Sequence, residues 1–170
     1  MASDHAAQLQ AFITKWQASG AAERANAHLF ISELCGLLDV KPPEPKTPDE
    51  HRNAYVFEKT IPGGEGASNF IDLYKRGHFI LETKQGVNAV GAGPVPLSAD
   101  GQQRQRALKK GHGTRGTHGW DIAMEKARNQ AENYARRLPK EELTDGLRPP
   151  FLVIVDVGHS IALYADWTRA

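Results

Sequence analysis

The chain has 170 residues, 40% of them apolar, enough for one sizeable core and too few for two large ones. Its 21 Lys and Arg stand against 20 Asp and Glu; the net charge of +1 excludes a globally basic surface, so any contact with nucleic acid must come from local patches. The single Cys35 excludes an internal disulfide, and its place in ELCGLL fits a small packed core residue of a reducing, cytoplasmic compartment. The start MASDHAAQLQ has no basic segment leading into an apolar stretch, and no run approaches bilayer-spanning length, so a secretory leader and a membrane span are not expected.

Leu9, Phe12, Ile13 and Trp16 recur at helical spacing and stop at Ser19-Gly20, which predicts an amphipathic helix over 4–18. A second helix is expected over 21–38, where Ala27, Phe30, Leu34, Leu37 and Leu38 recur at three- and four-residue steps. The stretch KPPEPKTPDE then forbids continuation and reads as a linker or ordered loop. Strands are expected over 54–61, 68–74 and 78–84, joined by short Gly-bearing connections that suit antiparallel hairpins. Residues 86–119 are polar and Gly-rich and read as a flexible insertion, within which 102–110 has some helical character.

Ala123, Ala127, Ala131, Tyr134 and Leu138 mark a helix over 120–138 that ends before Pro139. Two apolar runs, 151–157 and 160–167, read as strands of a buried sheet. This order predicts an α/β domain with a mixed central sheet flanked by helices. Residues 1–170 read as a single domain, and the stop in ADWTRA directly after a strand leads us to expect that it is the first part of a longer protein.

The chemistry concentrates in FIDLYKRGHFILETKQG. Strand alternation sets Ile71 and Leu73 on one face with Asp72 on the other, and on the next strand groups Ile80, Glu82 and Lys84. Glu82 and Lys84 are then about 6 to 7 Å apart at their α-carbons. Two carboxylates form an oxygen-rich site for a hard divalent cation, and a compact ammonium beside them can orient a water and offset charge growing on a phosphate. The Thr83 carbonyl is a further candidate oxygen ligand. The competing reading is a solvated strand face, because a bare D-x9-E-x-K spacing arises easily in charged sequences.

Two further features bear on that choice. Glu23 falls within about 20° of Phe30, in the middle of the stripe made by Phe30, Leu34 and Leu37, which suits either a third acid near the cation or a first-turn charge stabilising the helix N-terminus. Glu33 lies further off the stripe and is the weaker candidate. Gln130 and Tyr134 are one turn apart at the border of an apolar stripe, in reach of the sheet edge or simply a polar rim to the packing.

Together these residues resemble a PD-(D/E)xK nuclease of the RecB-like group, with its Gln-x3-Tyr motif. More narrowly, ERANAHLFISELCGLLDVKPPEP, FIDLYKRGHFILETKQG, QAENYARRL and PPFLVIVDVGHSIALY resemble the N-terminal domain of MmeI-like type IIL restriction-modification enzymes, in which the endonuclease precedes an adenine-specific DNA methyltransferase. The resemblance covers most of residues 21–165 except 86–119. It implies a restriction-endonuclease-like core and an Mg²⁺-dependent endonuclease acting on double-stranded DNA, with Mn²⁺ as an expected substitute.

By the same resemblance, Asp72, Glu82 and Lys84 would be catalytic, and Asp72, Glu82, Glu23 and the Thr83 carbonyl would hold the cation. Gln130 and Tyr134 would support the site or the DNA. Methyltransferase and target-recognition domains would be fused partners, dimerisation on DNA would accompany double-strand cleavage, and the setting would be prokaryotic. The family's proline is absent, Ile71 standing before Asp72. No Gly-rich nucleotide-cofactor loop is present, and RPPF at 148–151 departs from an Asn-Pro-Pro-Tyr motif, so no nucleotide cofactor and no methylation are expected of this chain.

Arg104, Arg106, Lys109, Lys110 and Arg115 form a basic run that suits either DNA phosphates or a solvated loop. His112 and His118 lack the Cys pair or His spacing of a zinc site. Trp16, Trp120 and Trp167 read as packing residues in preference to base-stacking platforms. The alternative to an endonuclease is a catalytically silent, nuclease-like DNA-binding or regulatory module of a methyltransferase, and a purely structural domain is a third possibility.

Overall fold

The computed structural model describes residues 2–19, 23–63, 66–87 and 113–165, with side chains from Asp4 in the first helix and from Asn26 in the second. Helices α1 (Ala2–Ala18) and α2 (Glu23–Leu37) precede strands β1 (Tyr55–Pro62), β2 (Ser68–Lys75) and β3 (Phe79–Lys84). Helix α3 (His118–Arg137) and strands β4 (Phe151–Asp156) and β5 (Ser160–Ala165) follow. The helices and strands expected within the described residues are present, their bounds displaced by at most a few residues.

The sheet order is β1-β2-β3-β4-β5, antiparallel throughout except for the parallel β3–β4 pair. A parallel pair needs a crossover, and α3 lies within it. The result is a mixed sheet between α1 and α2 on one face and α3 on the other, compatible with a restriction-endonuclease-like core. No helix among the described residues is long and apolar enough to cross a membrane.

Each face has its own core. Trp16, Ala27, Phe30, Ile31 and Cys35 pack on Leu73, Leu81, Val155 and Val157. Opposite them, Ala127, Ala131 and Ala135 of α3 pack on Ile61, Ile71, Tyr74, Ile80 and Ile154. Three small residues on one helical face let α3 lie close to the sheet. On α2 the buried stripe runs through Ile31 and Cys35, whereas Leu38, expected to be apolar-facing, lies past the helix end and is 60% exposed.

One expectation is corrected by the sheet itself. Ile71 and Leu73 do not share a face, since Leu73 packs against the α2 side and Ile71 against the α3 side. Strand alternation breaks at Asp72, and on β1 the residue across from it, Glu58, adopts a left-handed backbone with φ 51°. A non-glycine residue in that region is strained and persists only where its surroundings fix it. Here Lys46 donates to the Glu58 carbonyl at 2.8 Å, and Glu44 pairs with the β1 backbone, so the proline-rich stretch is an ordered loop.

Buried charges tie the periphery down. Lys59 and Glu142, 1% and 4% exposed, pair at 2.8 Å, and Arg76 and Tyr74 also donate to the Glu142 carboxylate. Near the far ends of β3 and β4, Asp156 is fully buried and accepts from the Gly86 N–H at 2.9 Å, Trp120 Nε1 at 2.7 Å and the Arg115 guanidinium at 2.8 and 2.9 Å. Gly86 is required there, because a Cβ would stand 2.8 Å from the Asp156 carboxylate. Gly158, with φ 76°, turns β4 into β5 directly against the Trp16 carbonyl, 2.0 Å from where a Cβ would lie.

Both ends of the expected insertion are therefore built into the fold, with Val87 bridged to Thr114. Arg115 is not available to DNA as the sequence suggested, because the buried Asp156 carboxylate takes its guanidinium. Residues 88–112, including the stretch 102–110 for which the sequence suggested helical character, and Trp167 lie outside the described residues. Trp16 is 2% exposed and Trp120 is held by Asp156, consistent with packing roles.

Burial alone would push the Asp156 and Glu142 carboxyls up, but hydrogen bonds from Arg115, Gly86 and Trp120, and from Arg76 and Lys59, hold both below the ordinary range. A depressed carboxyl pKa contributes stability above its unfolded value that is lost as pH falls through the folded value. Arg115→Ala, which leaves the Asp156 carboxylate buried without its cationic partner, is expected to cost about 3–5 kcal/mol near neutral pH in urea unfolding. That cost should shrink under acid, where the parent loses the same pair; a loss below about 1 kcal/mol at neutral pH would contradict this role.

Candidate metal and nuclease site

The β2–β3 register pairs Leu73 with Leu81 and Tyr74 with Ile80, and continuing it by one residue sets Asp72 across from Glu82. Both line a cleft of about 430 Å³ with Thr83, Lys84, Gln130 and Tyr134, with Ser68, Asn69 and Phe70 on its β2 side. Two adjacent strands supply the acids and the lysine, and α3 lays Gln130 and Tyr134 over them.

The site is internally braced. One Asp72 oxygen accepts from both the Thr83 N–H and the Thr83 hydroxyl at 2.7 Å, locking the carboxylate against β3. Gln130 Nε2 donates to Glu82 Oε2 at 2.7 Å and lies 3.0 Å from the Tyr134 hydroxyl. The Lys84 carbonyl accepts from Val157 N–H at 2.9 Å, which fixes the end of β3 beside the Asp156 cluster.

Glu82 is 1% exposed, and its Oε1 is the one buried side-chain oxygen or nitrogen among the described residues with no hydrogen-bond partner. Burial first, and the Asp72 charge second, push its carboxyl up to about 9, only partly offset by Lys84. A buried acceptor without a donor is costly. Burial and the Glu82 charge likewise raise the Tyr134 hydroxyl.

The structure thus brings together Asp72, Glu82, Thr83, Lys84, Gln130 and Tyr134. The helix α2 begins at Glu23, whose side chain is outside the described residues, as are Arg104, Arg106, Lys109, Lys110 and His112. Glu33 joins α2 to α1 through Lys15 and Trp16 Nε1, away from the cleft. Among the described residues no group of three or more His, Cys, Asp and Glu is placed to hold a metal ion, so the donor set seen is two carboxylates.

Sequence reasoning missed Glu58. It lines a small cavity with Asp72, Thr83 and His28 on the α2 side, lies 3.8 Å from His28, and adds to the upward push on Glu82. The signal was the adjacent pair Glu58-Lys59, which breaks the alternation of YVFEKTIP.

A carboxyl raised in the folded state contributes stability below its unfolded value, near 4.5, that is lost as pH climbs toward about 9. Glu82→Gln is therefore expected to stabilise the cation-free chain, read as a raised melting temperature, with a gain that grows between pH 5 and 9 to on the order of 1–3 kcal/mol of unfolding free energy at the upper end. An unchanged or lowered melting temperature across that range would contradict the description of Glu82 as a strained buried acid.

No curated protein and no solved structure matches the chain. The family described as the MmeI N-terminal domain matches residues 4–168, spanning both helical layers, all five strands and the cleft. The chain belongs to the family of MmeI N-terminal domains.

Proposed function

We propose that this chain is the Mg²⁺-dependent endonuclease module of a restriction-modification enzyme, cutting DNA phosphodiester bonds at the Asp72–Glu82–Lys84 cleft. The observation that carries the reading is the partnerless Glu82 oxygen, buried in a polar cleft beside a second carboxylate and a lysine. Family membership supports the restriction-modification setting, with methyltransferase and target-recognition domains as partners in a longer protein.

The donor set fits a hard cation. Asp72, Glu82 and the Thr83 carbonyl would hold Mg²⁺, which typically takes one or two protein carboxylates and completes its shell with water and substrate oxygens. When bound, the cation supplies Lewis-acid polarisation of the phosphate and lowers the pKa of a water. Glu23 remains a proposed additional acid.

The protein's own side chains do the rest. Thr83 holds Asp72 in a single orientation, and Gln130 fixes one Glu82 oxygen while the other is left without a donor. Lys84 orients the attacking water and offsets charge building on the phosphate, a task suited to a compact ammonium at the cleft wall. Tyr134 braces Gln130. Cutting both strands requires two such sites, so two copies would meet on DNA.

A silent DNA-binding module is the alternative, supported by a donor set of two carboxylates among the described residues and by the near-neutral charge. The two separate in a cleavage assay on DNA with Mg²⁺ or Mn²⁺, using the chain joined to its partner domains. Lys84→Ala, folded by circular dichroism, is expected to lose about 10²–10³-fold in rate. Equal cutting by parent and variant would remove Lys84 from the mechanism, and DNA binding without cutting by the parent would favour the silent module.

A further inference from the structure

A second cleft, of about 300 Å³, lies against α3, β4 and β5 and is lined by Arg128, Arg136 and Arg148 together with Glu132, Pro149 and Tyr164. Gln130 and Tyr134 face the acidic cleft, and Arg128, Glu132 and Arg136 stand two residues from them, so they occupy the other flank of the same helix.

In a chain of net charge +1, three guanidiniums against one carboxylate are a local concentration of positive charge. Two of the arginines are visibly pre-set. The Arg128 guanidinium lies over the Tyr164 ring at 4.5 Å, and Arg136 is paired with Glu132 at 2.8 Å. Arg148 directly precedes Pro149 and Pro150, whose rings stiffen the backbone entering β4. The α3 C-terminal dipole accounts for a cation at Arg136, in the last turn, but not for Arg128 in mid-helix or Arg148 beyond it. Held planar guanidiniums match phosphate oxygens in pairs.

We propose that this arginine cleft binds a backbone phosphate of the DNA whose scissile phosphate occupies the acidic cleft, a proposal that rests on the nuclease reading above. A pair of carboxylates does not draw in a polyanion without positive charge nearby. The two clefts are separated by one helix, about 10–12 Å across with its side chains, and the major groove is about 12 Å wide. Phosphates of one duplex therefore reach both flanks of α3. An acidic protein surface would also attract arginines, and arginine variants that leave DNA binding and its salt slope unchanged are the outcome that favours it.

The test is equilibrium binding of a short fluorescent DNA duplex to the full chain in Ca²⁺ across a range of KCl concentrations. Arg128→Gln and Arg148→Gln are each expected to weaken binding severalfold and to reduce the slope of log K against log salt by about 0.9, the signature of one lost phosphate contact. Gln keeps helix propensity at position 128, and circular dichroism and Mn²⁺ binding should match the parent. Lys41→Gln removes an equal charge from the exposed loop after α2, where Lys41 pairs with Glu44, and should leave the slope unchanged. If both arginine variants behave like Lys41→Gln, the arginine cleft is overturned and the acidic cleft is unaffected. Absence of any duplex binding by the parent overturns the arginine cleft, while the acidic cleft is judged separately by its Mn²⁺ binding.

Discussion

Setting Asp72 and Glu82 across from each other on neighbouring strands, with Glu82 buried, is the constraint on which the arrangement depends. Two like charges in a site shielded from water oppose each other, and one oxygen of Glu82 lacks even a hydrogen-bond donor. Such an arrangement does not help the chain fold. Glu82 is nevertheless braced, by Gln130 on one oxygen and by the strand ladder on its backbone. A buried acid held with an open acceptor is understandable if a cation occupies the cleft during function.

The rest of the fold serves to keep that pair in place. The alanine face of α3 brings the helix down onto β3 and β4, so that Gln130 reaches Glu82. The Asp156 cluster pins the strand end two residues beyond Lys84 and the first turn of α3 to the same carboxylate. On the other side, the left-handed backbone at Glu58 lies where the β1–β2 alternation reverses, which is how Asp72 comes to line cavities on both faces of the sheet.

Much of this was legible in the sequence because periodicity fixes elements well. Alanines at 123, 127 and 131 marked a helix, and E-T-K in an otherwise apolar strand singled out Glu82 and Lys84, with a solvated strand face as the competing reading. Gln130 and Tyr134 were recognisable as one face of a turn. What was hidden depended on non-local pairing. Nothing in the neighbourhood of Arg115 says that its partner is Asp156, forty-one residues later, so it read as part of a basic run. The opposite facing of Ile71 and Leu73 coincides with the left-handed backbone at Glu58 on another strand, which no pattern within β2 reveals. Leu38 carried the right spacing but fell just beyond the helix end.

The central claim, that Asp72 and Glu82 form a cation site, is tested most directly by calorimetric titration of Mn²⁺ into the parent chain and into Asp72→Ala, both checked for folding by circular dichroism. The account predicts saturable binding by the parent that is lost in the variant. Equal binding by the two, or none by the parent, would contradict it.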